Sequence, residues 1–165
     1  KQAPWTGLSL ALVGGGGEAR ATDTLQALAA LQPLARSALA VEDALFASRS
    51  DPSTCDALAV HWLLHRLPRG LADEDAARVP MHLLARHGLT AASLPSAPDA
   101  FLRDWAGELL ARLPAHGGGA FLRRARTRFD RARLQRLQAK GGQGGFDDPG
   151  APGTLWRAWR AARSR

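Results

Sequence analysis

Residues 58–89 read LAVHWLLHRLPRGLADEDAARVPMHLLARHGL, and the fold turns on how this stretch is interpreted. Its first part completes a helix over 52–67 on which Leu58, Val60, Trp62, Leu63, Leu64 and Leu67 cover most of the circumference. A helix that is apolar on nearly every side must be buried on nearly every side, most simply at the centre of a helical bundle. Asp51-Pro52 supplies an N-cap and first turn for it, and Pro68 and Gly70 end it. Val79-Pro80 then opens a second, short helix to His87, with Gly88 positioned to terminate it.

Working outward, Pro4 to Val13 reads as the end of a helix closed by the loop Gly14–Gly17. That loop has no Lys-Ser/Thr after it and no strand before it, so it is a linker and not a phosphate cradle. Asp23 is an N-cap for a helix to Ala47, with Pro33 as a possible point of kinking. A short turn is expected at Asp73–Ala77, and Ser96 and Pro98 start a helix to about Leu113. Gly117–Gly119 separates this from a long helix over 120–139, about 30 Å at 1.5 Å per residue. The Gly/Pro-rich segment 140–153 is expected to be a flexible loop, and Leu155–Ala162 a closing turn or two.

Composition points the same way. The 165 residues fit a single domain, and 45% are hydrophobic. Ala and Leu dominate, Ile and Tyr are absent, and so abundant a supply of helix formers with few β-branched residues predicts an all-α fold spanning 1–165. No apolar run approaches the ~20 residues of a membrane span. The single cysteine, Cys55, excludes an internal disulfide and suits a reducing cytoplasm. The opening Lys-Gln-Ala-Pro has neither an initiator Met nor a signal-peptide pattern, which suggests the C-terminal part of a longer protein. Net charge is +7 and is unevenly placed: residues 120–165 hold twelve basic and three acidic side chains, against ten basic and twelve acidic before them.

The pattern from Leu58 onward resembles the squalene/phytoene synthase family, all-α enzymes that join two isoprenoid diphosphates head to head. A central helix of that family reads Asn-Ile-Leu-Arg-Asp-x-x-x-Asp, followed by a short stretch ending in Tyr-Leu-Pro and a helix of the type x-x-x-Leu-x-x-x-Gly. Counted back from Pro80, Arg66 takes the place of the family's Arg, while Leu84 and Gly88 take those of the following Leu and Gly. The tail Leu155-Trp156-Arg157-Ala158-Trp159-Arg160 is similar to the closing helix of many bacterial members, so the resemblance extends over 58–165. It implies an isoprenoid-synthase-like bundle in which Leu63, Arg66, Leu67 and Leu71 line the substrate cavity. Arg69, Arg124 and Arg131 are then the candidate contacts for a diphosphate or another anion.

The chain departs from the family where the chemistry is done. The motif's Asn aligns with Leu63, and its two aspartates align with Leu67 and Leu71. In the family these carboxylates hold Mg²⁺, which clamps and ionises the diphosphate, and leucine cannot ligate a hard cation. The expectation is therefore a non-catalytic isoprenoid-binding or assembly scaffold, with no catalytic residue and no cofactor. One rival is an active Mg²⁺-dependent prenyl transferase that draws acids from outside this chain and from Asp73, Glu74 and Asp75. Adjacent residues on a helix do not share a face, so a solvated acidic helix start is the preferred account of that cluster.

Three further constellations carry titratable or charged groups at regular spacing. His61 and His65 have zinc-ligand spacing, but Trp62 stands where a His-Glu-x-x-His protease has its Glu, and no third ligand stands out. They are read as histidines hydrogen-bonded to neighbours. Asp104, Glu108 and Arg112 are spaced as an exposed ion-pair ladder. The helix 120–139 carries Arg123, Arg124, Arg126, Arg128, Arg131, Arg133 and Arg136, with Asp130 alone opposing, and Leu122, Ala125, Phe129 and Ala132 as its expected docking stripe. It is read first as a solvated face and next as a peripheral contact with anionic membrane. A nucleic-acid surface comes last, because no aromatic platform accompanies the arginines.

Overall fold

The computed structural model describes residues 20–66, 78–115 and 120–142, together with Gly153, Trp156 and Trp159. Among these residues the chain is all-helical: α1 Thr24–Phe46, α2 Pro52–Arg66, α3 Met81–His87, α4 Asp99–Arg112 and α5 Phe121–Lys140, with a 3-10 helix over Ala91–Ser96. The helix and loop expected before residue 20, the turn at 73–77, most of the 140–153 loop and most of the closing segment lie outside the described residues. No described helix is long and apolar enough to cross a membrane.

Local chemistry sets the ends of these helices. The Asp23 carboxylate accepts from the Gln26 backbone N–H and so caps α1. Asp51 does the same at α2, accepting from the Thr54 backbone N–H at 2.8 Å and from the Ser53 and Thr54 hydroxyls. Those hydrogen bonds hold the Asp51 carboxyl below its usual range. At the start of α3 the Met81 and His82 N–H groups donate to the carbonyls of Ala21 and Thr22, so the segment before α1 satisfies donors that an isolated helix would leave open. Gly88 ends α3 at φ +62°, the left-handed conformation its lack of a Cβ permits.

The helix expected to begin at Ser96 begins at Asp99. Residues 91–96 form a 3-10 helix, and Ala97 is extended at φ −58°, ψ 136° because the ring of Pro98 disfavours helical backbone in the residue before it.

The central helix of the bundle is α2, which packs against α1, α4 and α5. One apolar cluster joins Leu28 and Leu31 of α1 and Val60, Leu63 and Leu64 of α2 to Leu83 of α3, Phe101, Trp105 and Leu109 of α4, and Leu134 and Leu137 of α5. A smaller cluster, Ala35, Leu39, Cys55 and Leu58, seals α1 against α2. Burial pushes the Cys55 thiol up, so the residue behaves as a small apolar side chain.

On α5 the expected docking stripe gives way to a different face. Leu122 is 61% exposed, and of the four stripe residues only Ala125 is fully buried. The inward row is Arg123, Thr127, Asp130, Leu134 and Leu137, spaced 4, 3, 4 and 3. That spacing is a helical seam whose N-terminal half is polar. Burial is tolerated there because α1 and α2 present partners of complementary charge, which the hydrophobic periodicity of α5 alone does not reveal.

The C-terminus of α5 offers a direct test of packing. Gly141 sits at φ +63°, and a Cβ there would come within 2.7 Å of the Asp99 Cβ. Gly141→Ala is expected to destabilise the protein by about 2 kcal/mol, read as a lowered midpoint in urea unfolding. An unchanged midpoint would mean that the α4–α5 contact at this end is looser than described.

Candidate metal centre

Two turns of α2 and the middle of α5 meet at a cluster of three ionisable groups. His61 and His65 are separated by one helical turn, which brings their rings together in a tilted arrangement with centroids 4.2 Å apart and planes inclined at 51°. Opposite them stands Asp130, 2% exposed and supplied by the inward seam of α5. Nδ1 of His61 lies 3.0 and 2.9 Å from the two Asp130 carboxylate oxygens, and Nε2 of His65 lies 3.5 Å from one of them. Burial by itself would raise the Asp130 carboxyl, but the hydrogen bonds from His61 and His65, together with their charge, outweigh it and hold the group below its usual range. Asp130 is thus a buried carboxylate whose charge is balanced from α2. His65 remains 46% exposed at the rim, so the cluster is reachable from solvent.

The hydrogen-bonded account of the two histidines agrees with this geometry, but the third member was missed in the sequence. Asp130 lies 69 positions from His61, so no local spacing connects them. A signal did exist: Asp130 is the one acidic residue in a twenty-residue helix that holds seven arginines, and it falls seven residues after Arg123, on the same face.

A second polar group ties α1, α3 and α4 together. His82 Nε2 lies 2.9 Å from Glu108, which also accepts from the Thr24 hydroxyl. Asp104 pairs with Arg86 and His87, and Arg86 also reaches Glu108. The expected Asp104–Glu108–Arg112 ladder is therefore corrected in its partners: both acids pair with groups of α3 and α1, although Asp104 stays 44% exposed.

A third group joins α1 to α5. Arg123, 3% exposed in its side chain, donates to Glu42 at 3.0 Å, Asp43 at 2.8 Å and the Arg49 carbonyl, and Arg126 also reaches Glu42. The reading of α5 as a solvated face opposed by Asp130 alone is corrected accordingly, since α1 supplies the counter-charges.

The residues singled out from the sequence fall in different places. Leu63 is 2% exposed within the main core, and Arg66 closes α2. Leu67, Arg69, Leu71, Asp73 and Asp75 lie outside the described residues. Arg131 donates from Nη2 to the carbonyls of Leu113 and Pro114, where it supports the exposed C-terminal end of α4. Arg124 is half-buried on α5, with its backbone N–H on the Ala120 carbonyl.

Comparisons with family models, with curated proteins and with solved structures return no match to this chain.

Proposed function

We propose that the chain is a squalene/phytoene-synthase-like helical scaffold without synthase activity, which binds an isoprenoid or serves in the assembly of a partner. The observation that supports this reading is the character of α2. The helix stands at the centre of the bundle, as the diphosphate-binding helix of such enzymes would, and Leu63, which the sequence pattern aligns with the family's Asn, belongs to a continuous apolar core. An aliphatic side chain there offers no oxygen to Mg²⁺ and no hydrogen bond to a phosphate. Leu67 and Leu71, aligned with the two aspartates, extend the same substitution in the sequence.

The nucleic-acid reading of α5 has less support. Arg123, Arg126 and Arg131 already hold carboxylates or carbonyls within the fold, which removes them from any free basic surface. Peripheral contact with anionic membrane stays compatible with the scaffold.

Incubation of the protein with farnesyl or geranylgeranyl diphosphate and Mg²⁺ is expected to yield no condensed hydrocarbon by gas chromatography. Farnesol or geranylgeraniol is expected to quench the tryptophan fluorescence saturably, with or without Mg²⁺. Condensed product would overturn the non-catalytic reading. Quenching that required both Mg²⁺ and the diphosphate would favour the transferase that draws on Asp73 to Asp75.

A further inference from the structure

We infer that His61, His65 and Asp130 form a zinc site at the seam between α2 and α5, with a fourth coordination position open to solvent. The site is separate from the scaffold reading: Leu63 lies about half a helical turn away from His61 and faces the core.

Geometry makes the case first. One nitrogen from each histidine and one Asp130 oxygen all lie within 4.8 Å of one another. A tetrahedral zinc ion with bonds of about 2.0–2.1 Å holds its ligand atoms roughly 3.3 Å apart. That spacing falls between the 2.9 Å that now separates His61 from Asp130 and the 4.8 Å limit of the group. An entering ion opens the first contact by a few tenths of an ångström and draws His65 inward. The second movement needs only rotation of a side chain that is half in solvent. The backbone of both helices stays where it is, because one helical turn already places the two imidazoles on one face.

Donor chemistry then selects the ion. Two imidazoles and one carboxylate suit zinc and its late first-row neighbours, whereas Mg²⁺ and Ca²⁺ take oxygen ligands. Asp130 contributes a formal negative charge where water cannot screen it, and a buried carboxylate requires positive charge beside it. In the metal-free protein the His61 ring faces both Asp130 oxygens at hydrogen-bond distance. On metal binding the ligating nitrogens give up any proton to solvent and the divalent ion takes over the compensation. Three protein ligands with a solvent-facing side match the open type of zinc site, in which water or a small ligand completes the tetrahedron.

The test uses the full chain stripped with EDTA, titrated with ZnCl₂ by calorimetry and with CoCl₂ by visible absorption. One zinc per chain is expected, with the intense d–d bands of tetrahedral cobalt and a melting temperature that rises with zinc concentration. His65→Ala removes a half-exposed side chain, so its circular dichroism in EDTA should match the parent while zinc affinity falls roughly tenfold or more. Asp130→Asn keeps the side-chain shape and is expected to lose the cobalt bands. His82→Ala, in the separate group around Glu108, should bind zinc as the parent does. Absence of zinc uptake at one equivalent, equal affinity in His65→Ala and the parent, or loss of binding in His82→Ala would each overturn the assignment.

Discussion

Leu63→Asn is expected to lower the free energy of unfolding by about 4 kcal/mol, the largest effect of any single substitution considered for this protein. Two terms add. Removing a fully buried leucine side chain from the apolar cluster loses roughly 2 kcal/mol of transfer free energy. Leaving an amide within that apolar cluster adds a further 1–3 kcal/mol or so when it gains no hydrogen bond in return. The substitution introduces the residue type that the proposed squalene/phytoene-synthase-like reading aligns with Leu63, so it also tests that reading. If α2 lined a wet, polar cavity, asparagine would be accommodated there and urea unfolding would show almost no change. A loss of several kcal/mol places Leu63 in packed core and is the result expected under the proposed non-catalytic reading.

Arg123→Ala is expected to cost about 3 kcal/mol and to change how stability depends on pH. The guanidinium is nearly inaccessible and joins Glu42, Asp43 and the Arg49 carbonyl, so truncation removes the cation shared by both acids and leaves Glu42 with Arg126 and Asp43 with Ser48 and Ser50. For Asp43, burial acts to raise the carboxyl, but the Arg123 hydrogen bond, aided by Ser50 and Ser48, more than reverses this and sets it at about 2, against an ordinary value of 3.8. A carboxyl depressed by folding contributes stability that is fully present above pH 3.8 and is lost as pH falls from there through about 2. The parent protein should therefore lose stability steadily across that acid window, while the variant, already missing the interaction, should show a shallower slope. Identical slopes in chemical denaturation at a series of acid pH values would show that the Arg123–Asp43 pair does not hold the carboxyl down.

Much of the helical layout was legible from the chain because its signals are local. Asp23, Asp51-Pro52, Gly88 and Pro98 act through hydrogen bonds and backbone sterics within a few residues of themselves, and the observed helix ends fall on or beside them. The apolar wheel of 52–67 likewise foretold a central helix, since a segment with no polar side has nowhere else to go. The 3-10 stretch at 91–96 was harder to see, because it depends on how two closely spaced prolines share a short connection.

The long basic helix shows where local reading stops. Taken alone, Arg123, Thr127 and Asp130 belong outside and Leu122 belongs inside, and the fold reverses both assignments. The cost of burying a charge depends on what faces it, and those partners sit on α1 and α2, between 65 and 81 residues away in sequence. Sequence by itself determined that this chain forms helices, where most of them begin and end, and that α2 is interior. Only tertiary packing decided which polar groups are shared between helices, and so brought His61, His65 and Asp130 together: periodicity describes one helix against water, whereas electrostatic compensation is a property of two helices in contact.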